Sequence, residues 1–294
     1  MSESLAAALA AALGCAVAPQ PAAAVHGGCI NDCFRWQTER GPVFVKRAPL
    51  AGRSVLEAET DGLERLRQAN ALRVPRTLAA GTTGDEAFLV LEWLELFQPE
   101  ATSEQRLGEA LAWLHRNRAP AYGLERDNFI GATPQSNDFS EDWVAFWRER
   151  RLLYQLKLAA SRGHVGRLQD RGRRLVEVMH VFFATYRPAA SLLHGDLWSG
   201  NRGMLADGTP VVFDPAVYYG DREADIAMTR LFGSFGPRFY SAYAVTWPLD
   251  QAAGTRRDLY NLYHVLNHLN LFGAGYLARA ERMTGELLAA AEAA

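Results

Sequence analysis

The most informative segment of this chain is SLLHGDLWSGNRGMLADGTPVVFD, which spans Ser191–Asp214. Asp196 lies five positions before Asn201. This is the spacing of the phosphoryl-transfer loop, in which Asp receives a hydroxyl proton and Asn binds magnesium. An Asp-Gly pair between two short apolar runs then predicts a β-hairpin. Because a hairpin brings the start of its first strand beside the end of its second, we expect Asn201 and Asp214 to meet beside Asp196. Three oxygen-donor side chains at one point suit magnesium.

Each of these residues has an ordinary structural explanation when it is taken alone. A single Asp in a loop usually caps a helix or forms a turn, Asp-Gly pairs are common, and Asn201 by itself only turns the chain. The ordered set, together with the hairpin that would bring its members together, is therefore the observation that favours a phosphotransfer site.

The segments HGDLWSGN, residues 194–201, and FDPAVYYGDREADIAM, residues 213–228, resemble the fructosamine (ketosamine-3-) kinase family. That family is similar to the aminoglycoside and choline kinases, and all share the protein-kinase-like fold. The resemblance extends from about residue 25 to about residue 276. It implies a two-lobed α+β fold. A small nucleotide-binding lobe, with an antiparallel sheet and one helix, would span residues 1–93. A larger, mainly helical lobe for catalysis and acceptor binding would span residues 94–294.

A glycine pair in the first lobe follows a predicted strand. Gly27 and Gly28 let the backbone approach phosphates without a side chain in the way, although a plain hairpin turn is the alternative. Cys29 comes next, where backbone amides or a bound cation would favour the thiolate. A small packing residue is the alternative for Cys29. The resemblance favours a redox role, because a cysteine in this loop recurs in the family and is linked to redox control.

Lys46 ends an alternating strand, which makes it either a solvated edge residue or the phosphate-pairing lysine of a kinase. The next helix helps to decide between these. Ser54 and Glu57 match a capping box at its start, while Glu59 falls on the apolar stripe. Because an unpaired buried charge is unfavourable, Glu59 needs a cationic partner. We therefore expect Lys46 and Glu59 to form an ion pair that orients the lysine on nucleotide phosphates.

Two further site predictions concern the adenine and the acceptor. Glu92 and Leu94 follow a buried strand at the expected hinge, and the resemblance implies that their backbone groups bind the adenine edge. Trp198, inside the catalytic loop, would offer a flat apolar wall beside Asp196 for stacking on a sugar ring. An aromatic stripe at helical spacing is usually core, but the resemblance implies that the helical insertion before the catalytic loop shapes the acceptor pocket. That stripe consists of Trp143, Phe146 and Trp147.

The segment after Asp214 bears on the size of the acceptor. Protein kinases place Phe-Gly after this Asp and then a long activation segment. Here Pro215 follows and a helix is predicted within a few residues, which favours a small-molecule acceptor. We interpret Asp221 as a helix cap and Asp225 as a hydrogen-bond partner of the catalytic loop, in preference to metal ligands.

Three histidines in the second lobe are candidates that we interpret structurally. His264 and His268 stand four residues apart on a predicted helix, but no third metal ligand is apparent. His115 follows a helical apolar pattern, which favours a core or capping role over catalysis.

The composition is that of an ordinary soluble globular protein: 294 residues, 49% apolar, 22% charged, with a net charge of -2. No basic surface argues for nucleic acid or for an anionic membrane. Three cysteines without CxxC pairs argue against a disulfide framework or a zinc site and fit a reducing cytoplasm. The uncharged stretch over residues 5–18 has no preceding positive charge, so we expect a helix ending near Gly14 in preference to a secretion signal.

The expected reaction is transfer of the ATP γ-phosphoryl group to a hydroxyl of a small molecule, with ATP and Mg²⁺ as cofactors. The resemblance implies a ketosamine acceptor, fructosamine or ribulosamine, in which a sugar is attached to an amine or a lysine and is phosphorylated on its 3-hydroxyl. Alternatives are another small alcohol, such as an aminoglycoside, a choline-like compound or a free sugar, and a nucleotide-binding protein without catalysis. The sequence leaves the oligomeric state open, with a homodimer as one arrangement.

Overall fold

The computed structural model describes residues 4–25 and 31–293. Gly27, Gly28 and Cys29, the predicted phosphate loop and redox residue, therefore lie outside the described residues. The first lobe has the following elements: α1 (Leu5–Leu13), β1 (Ala23–Ala24), β2 (Asp32–Thr38), β3 (Gly41–Pro49), α2 (Arg53–Gln68), β4 (Thr77–Thr83) and β5 (Glu86–Glu92). Their strands form an antiparallel sheet in the order β1-β2-β3-β5-β4.

Helix α1 ends where the sequence predicts. Ser4 accepts a hydrogen bond from the Ala7 amide at the start, and Gly14 ends the helix with a φ of 62°. Leu9 is fully buried against one face of the sheet, where Trp36 and Val45 are also buried. The predicted lobe contained one helix beside the sheet, and α1 adds a second to it.

Helix α2 forms on the other side of the sheet, but its start differs from the prediction. The helix begins at Arg53 with Gly52 as its N-cap, and no side chain caps it. Ser54 is therefore already inside the helix, so the predicted capping box is wrong. Glu57 instead binds Arg53 at 2.6 Å. The buried face of α2 carries Glu59 among leucines, as predicted.

The second lobe is mainly helical. Its α-helices are α3 (Ala101–Leu114), α4 (Trp143–Phe146), α5 (Leu153–Ser161), α6 (Arg167–Val178), α7 (Glu223–Met228), α8 (Pro237–Thr246), α9 (Ala253–Phe272) and α10 (Leu277–Glu292). Its short strands are β6 (Asn128–Ile130), β7 (Thr133–Gln135), β8 (Ser191–Leu193), β9 (Arg202–Met204), β10 (Pro210–Val212) and β11 (Tyr218–Gly220). These strands pair as three antiparallel two-stranded units: β6 with β7, β8 with β11, and β9 with β10.

Two hydrophobic clusters organise this lobe. One surrounds α9 and contains Trp143, Phe146 and Trp147, each at most 3% exposed, so the aromatic stripe is core. The other joins the lobes, because Leu63 of α2 and Leu111 of α3 belong to the same cluster. The chain leaves the sheet at the end of β5, and we retain a lobe boundary between residues 93 and 94 as a proposal. No helix in the described ranges is long and apolar enough to cross a membrane.

Candidate active site

The predicted hairpin is present and closes the site. β9 and β10 pair antiparallel, with Arg202 opposite Val212. At the open end, the Phe213 amide donates to the Asn201 carbonyl at 3.1 Å. This bond holds Asn201 beside Phe213, the residue before Asp214, as the Asp-Gly hairpin predicted.

Asn201 connects the other two predicted residues. Its amide nitrogen Nδ2 donates to the backbone oxygen of Asp196 at 2.9 Å and lies 3.4 Å from Oδ2 of that residue. It also lies 3.5 Å from the carbonyl oxygen of Asp214. These hydrogen bonds use the nitrogen, so the side-chain oxygen of Asn201 is the atom suited to a cation.

Asp214 has an unusual backbone and a charged partner. Its φ of 56° is in the left-handed region, which Asp tolerates better than most residues. Its Oδ1 lies 2.5 Å from Nζ of Lys46, and 37% of its side chain is exposed. Nζ of Lys46 also lies 2.7 Å from Oε1 of Glu59. The predicted Lys46–Glu59 pair is therefore present, and Asp214 is a second partner that the sequence analysis did not anticipate.

Burial and neighbouring charges shift the pKa values of these groups. Burial disfavours the Lys46 ammonium, but Asp214 and Glu59 together raise the pKa of Lys46 above its ordinary value. Burial raises the pKa of Glu59 to about 7, against the opposing effect of Lys46. Because Lys46 faces two carboxylates at close range, its side chain is protonated and positively charged.

The environment also makes Asp196 more basic than an ordinary Asp. Desolvation, followed by the negative charges of Asp214 and Asp225, raises the pKa of Asp196 to about 7. A carboxylate with a raised pKa accepts a proton more readily at neutral pH. The geometry thus places a carboxylate with a raised pKa next to a lysine and to oxygen donors.

Asp225 holds the backbone of the catalytic loop, as predicted. Its carboxylate accepts from the amides of His194 at 2.7 Å and Gly195 at 2.9 Å. Gly195 has a φ of 84°, and a Cβ there would lie 2.0 Å from the Ala216 carbonyl oxygen, so the position requires glycine.

Asp221 has the predicted cap contact and two further partners. Its carboxylate accepts from the amide of Glu223, the first residue of α7, at 3.0 Å. It also accepts from the hydroxyls of Tyr260 at 2.5 Å and Tyr186 at 3.1 Å, which the sequence did not indicate.

A cavity of about 430 Å³ opens onto these groups. Its lining includes the polar residues Lys46, Glu59, Asp196, Asn201 and Asp214. The lining also includes an aromatic wall, which we define as Trp198, Phe232, His268, Phe272 and Tyr276. The ring of Phe232 lies 6.4 Å from that of Trp198 and 4.4 Å from that of His268. Trp198 therefore occupies the cavity as predicted.

The other four members of the aromatic wall were not predicted from the sequence to lie at the site. The only signal was the four-residue spacing of His268, Phe272 and Tyr276, which is shared by many core helices. His264 is buried, and burial lowers its pKa to about 3, as expected for a structural histidine. Nδ1 of His268 lies 2.9 Å from the backbone oxygen of His264, which also fits a structural role, but the ring of His268 lines the cavity.

The remaining site predictions have mixed outcomes. The Glu92 amide already donates to the Arg76 carbonyl at 3.0 Å, so that amide is not free for an adenine edge. Neither Glu92 nor Leu94 lines the 430 Å³ cavity, and their role stays a prediction.

Cys33, for which no site role was predicted, lines the cavity. Burial raises the pKa of its thiol to about 11, so Cys33 stays protonated.

The donor set fits magnesium better than a transition metal. Within residues 4–25 and 31–293, no three His, Cys, Asp or Glu side chains cluster as a metal site. One amide oxygen and one carboxylate, from Asn201 and Asp214, match a hard cation that keeps most of its waters.

Known proteins resemble this chain over most of its length. A family model described as fructosamine kinase matches residues 1–290. A protein of Synechocystis sp., named a probable ketoamine kinase, is 42% identical over 265 residues, covering 90% of this chain and 89% of its own. A chloroplastic protein-ribulosamine 3-kinase of Oryza sativa subsp. indica is 41% identical over 268 residues, covering 90% of this chain and 78% of its own.

Solved structures share the fold. A crystal structure from Haemophilus somnus, assigned as a fructosamine-3-kinase, gives a TM-score of 0.88 at 29% identity and covers 97% of each chain. A spectinomycin phosphotransferase gives a TM-score of 0.58 at 13% identity, covering 100% of this chain and 98% of its own, which shows a shared fold alone. The fold is thus the predicted two-lobed, kinase-like α+β fold. By the match along nearly its whole length and by its curated relatives, this chain belongs to the fructosamine kinase family.

Proposed function

We propose that this protein transfers the γ-phosphoryl group of ATP to the 3-hydroxyl of a ketosamine, a fructosamine or ribulosamine carried on an amine or a lysine. The observation that carries the proposal is the contact of Asn201 with both Asp196 and Asp214, at the edge of a cavity that also contains Lys46. The names of the relatives at about 40% identity support the ketosamine as acceptor.

The proposed roles follow from the chemistry of each side chain. Asp196 accepts or orients the proton of the acceptor hydroxyl, since its raised pKa favours proton acceptance. Lys46, oriented by Glu59, binds the nucleotide phosphates. Asn201 and Asp214 would hold Mg²⁺, which neutralises charge on the transferring phosphoryl group when bound.

The parts of the nucleotide site around these residues are also proposals. We assign phosphate contacts to the backbone at Gly27 and Gly28 and adenine contacts to the backbone at Glu92 and Leu94. Trp198, on the aromatic wall, would stack on the sugar of the acceptor. The amine-bearing substituent would add binding energy that improves reaction at the distant hydroxyl.

A second acceptor class is suggested by the aromatic wall itself. Aromatic rings attract organic cations, so a choline-like alcohol is the alternative that the cavity favours.

The experiment compares acceptors under identical Mg-ATP conditions. We expect kcat/KM to be highest for a ketosamine and low for its matched free sugar, for an aminoglycoside and for choline, with the phosphate located on the 3-hydroxyl by NMR. A preference for any other acceptor, or phosphate on another hydroxyl, would overturn the ketosamine assignment and leave the kinase assignment in place. Absence of ATP turnover with every acceptor would overturn both.

A further inference from the structure

Arg279 lies next to the aromatic wall of the cavity. It belongs to the first turn of α10, and its guanidinium carbon lies 5.6 Å from the ring centre of Phe232. The ring of Phe232 lies 4.4 Å from that of His268, and both rings line the cavity. Burial lowers the pKa of His268, and the positive charge of Arg279 lowers it further. The guanidinium is therefore within electrostatic reach of two rings of the wall.

Neither an ion pair nor helix stability explains the position of this charge. The side chain of Arg279 is partly buried. No carboxylate in residues 4–25 and 31–293 pairs with it, whereas Arg282 of the same helix pairs with Glu286 at 3.0 Å. The first turn of α10 has no acidic residue, and the helix dipole disfavours a cation there.

The guanidinium keeps its hydrogen-bonding capacity. Its contact with Phe232 is a cation–π contact, which uses the flat face of the group. Its N–H groups form no hydrogen bond to any part of the chain that the structure describes. A free guanidinium edge is a planar fork that matches a carboxylate and binds it through two N–H groups.

The aromatic wall connects Arg279 with the catalytic loop. The ring of Trp198, which is proposed to stack on the sugar, lies 6.4 Å from that of Phe232. The hydroxyl of Ser199 donates to the Phe232 carbonyl at 2.6 Å and fixes that residue against the catalytic loop. A ketosamine whose sugar stacks on Trp198 can therefore direct its amine-bearing substituent along Phe232 towards Arg279.

The charge of that substituent decides whether the contact is favourable. The nitrogen of a ketosamine is a basic amine, so an acceptor without an anionic group is positively charged at neutral pH. Like charges repel, and Arg279 would oppose such an acceptor. A carboxylate on the substituent would offset the ammonium and pair with the guanidinium. A choline-like cation has no such group, so this charge also opposes that alternative.

We propose that the acceptor carries a carboxylate on its amine-bearing substituent, as a glycated amino acid does, and that Arg279 binds this carboxylate. The inference rests on the proposed function and specifies the acceptor within the ketosamine class. Arg279 is then a specificity-determining residue, which contributes binding energy at a distance from the reacting hydroxyl. The carboxylate stands next to the amine in an α-glycated amino acid and further from it in an ε-glycated lysine.

The experiment compares two pairs of acceptors that differ in this carboxylate. The first pair is N-fructosylglycine and its amide, and the second is Nα-acetyl-Nε-fructosyllysine and its amide. The ratio of kcat/KM for acid over amide is measured with Mg-ATP in the parent and in Arg279→Gln. We expect the ratio to be about 5- to 20-fold smaller in the variant for at least one pair, mainly through KM. The pair that responds shows where the carboxylate stands relative to the amine.

The comparison of ratios removes effects that do not involve Arg279, such as the different basicity of the amine in acid and amide. Arg282→Gln, on the same helix and outside the cavity lining, is the matched control and should keep the parent ratio. Arg279→Lys should retain part of the preference, because it keeps the charge and loses the planar fork. In the parent, the ratio should decrease as salt is added, since partly exposed charges are screened.

An acid-to-amide ratio that is equal in the parent and in Arg279→Gln for both pairs would overturn the role of Arg279 and leave the ketosamine kinase assignment in place. If Arg279→Gln did not fold, equal kcat/KM for acid and amide in the parent at low salt, in both pairs, would have the same consequence. A parent that phosphorylated none of these acceptors would instead overturn the proposed function, and the inference with it.

Discussion

Nζ of Lys46 lies 2.5 Å from Oδ1 of Asp214, which joins residues 168 positions apart. Lys46 belongs to the sheet of the first lobe, whereas Asp214 follows the hairpin of the second. Because Lys46 also binds Glu59, one buried ammonium connects the sheet, α2 and the catalytic hairpin. The charged groups proposed for phosphates, metal and base thus converge where the lobes meet.

Asp196→Asn should retain ATP binding and lose turnover, because the amide cannot accept the hydroxyl proton. A positioned base contributes about 10²–10⁴-fold, and kcat should fall by that factor. Calorimetric titration with Mg-ATP and steady-state kinetics measure the two effects. Asp207→Asn, at the exposed turn of the same hairpin, is the matched control. Turnover of Asp196→Asn at the parent rate would remove Asp196 as the base.

Asp214→Asn should abolish productive Mg-ATP binding, because it removes the carboxylate assigned to the cation. Asn tolerates the left-handed backbone at this position, so the substitution tests the charge and not the φ of 56°. Asp214→Ala should be at least as severe, since Ala also strains the backbone. Titration of Mg²⁺ at fixed ATP gives the result. If affinity and turnover both stayed at parent values, the metal site would lie elsewhere.

Glu59→Gln should weaken the binding of nucleotide phosphates by Lys46, because the neutral side chain no longer forms the ion pair that orients the lysine. We expect a higher KM for ATP and a lower kcat, and little further loss when Glu59→Gln is added to Lys46→Met. Residues that act through one contact are non-additive in this way. Glu57→Gln, on the same helix and paired with Arg53, is the control. Additive losses in the double variant would separate Glu59 from Lys46.

His264 should make the protein less stable in acid. Burial lowers its pKa from 6.5 to about 3, so between these pH values the unfolded chain takes up a proton that the folded protein does not. The stability that it contributes is complete above pH 6.5 and decreases as the pH falls towards 3. In that window, the dependence of the unfolding free energy on pH should be about 1.4 kcal/mol per pH unit shallower in His264→Gln.

Urea unfolding of parent and variant at several pH values between 6 and 4 tests this dependence. The comparison uses the slope with pH and not the absolute stability, which a buried substitution also changes. Exposed His180→Gln should leave the slope at the parent value. Parallel pH profiles for parent and His264→Gln would show that His264 is not the responsible group.

Trp198→Ala should reduce kcat/KM for the ketosamine while leaving Mg-ATP binding unchanged, because the ring lines the cavity and is proposed to stack on the acceptor. Loss of an aromatic stacking contact of about 0.5–1.5 kcal/mol corresponds to a reduction of about 2- to 13-fold. Trp198→Phe should retain most of the activity. Trp113→Ala, at an exposed tryptophan of α3 outside the cavity, serves as the control. Equal kcat/KM in Trp198→Ala and the parent would exclude the stacking role.

Predictions from local chemistry agree with the structure in most places. The hairpin depends on a turn between adjacent strands, and the position of Glu59 depends on helical periodicity, so neighbouring residues suffice for both. The prediction of a capping box at Ser54 was wrong, and the reason also lies in the neighbouring residues. A 3₁₀ turn over Leu50–Gly52 starts the helix one residue before Ser54 and leaves that hydroxyl inside it.

The sequence by itself determined the order and spacing of Asp196, Asn201 and Asp214, because a short loop and a tight hairpin leave the chain few ways to connect them. Only the tertiary structure decided which distant side chains surround them. Phe232 and His268 reach the cavity from separate segments, and His115 reaches Asp225 from α3. Aromatic residues in any core helix have the same tendency to be buried, and only the packing of α3, α7 and α9 around the catalytic loop gives these particular side chains their partners.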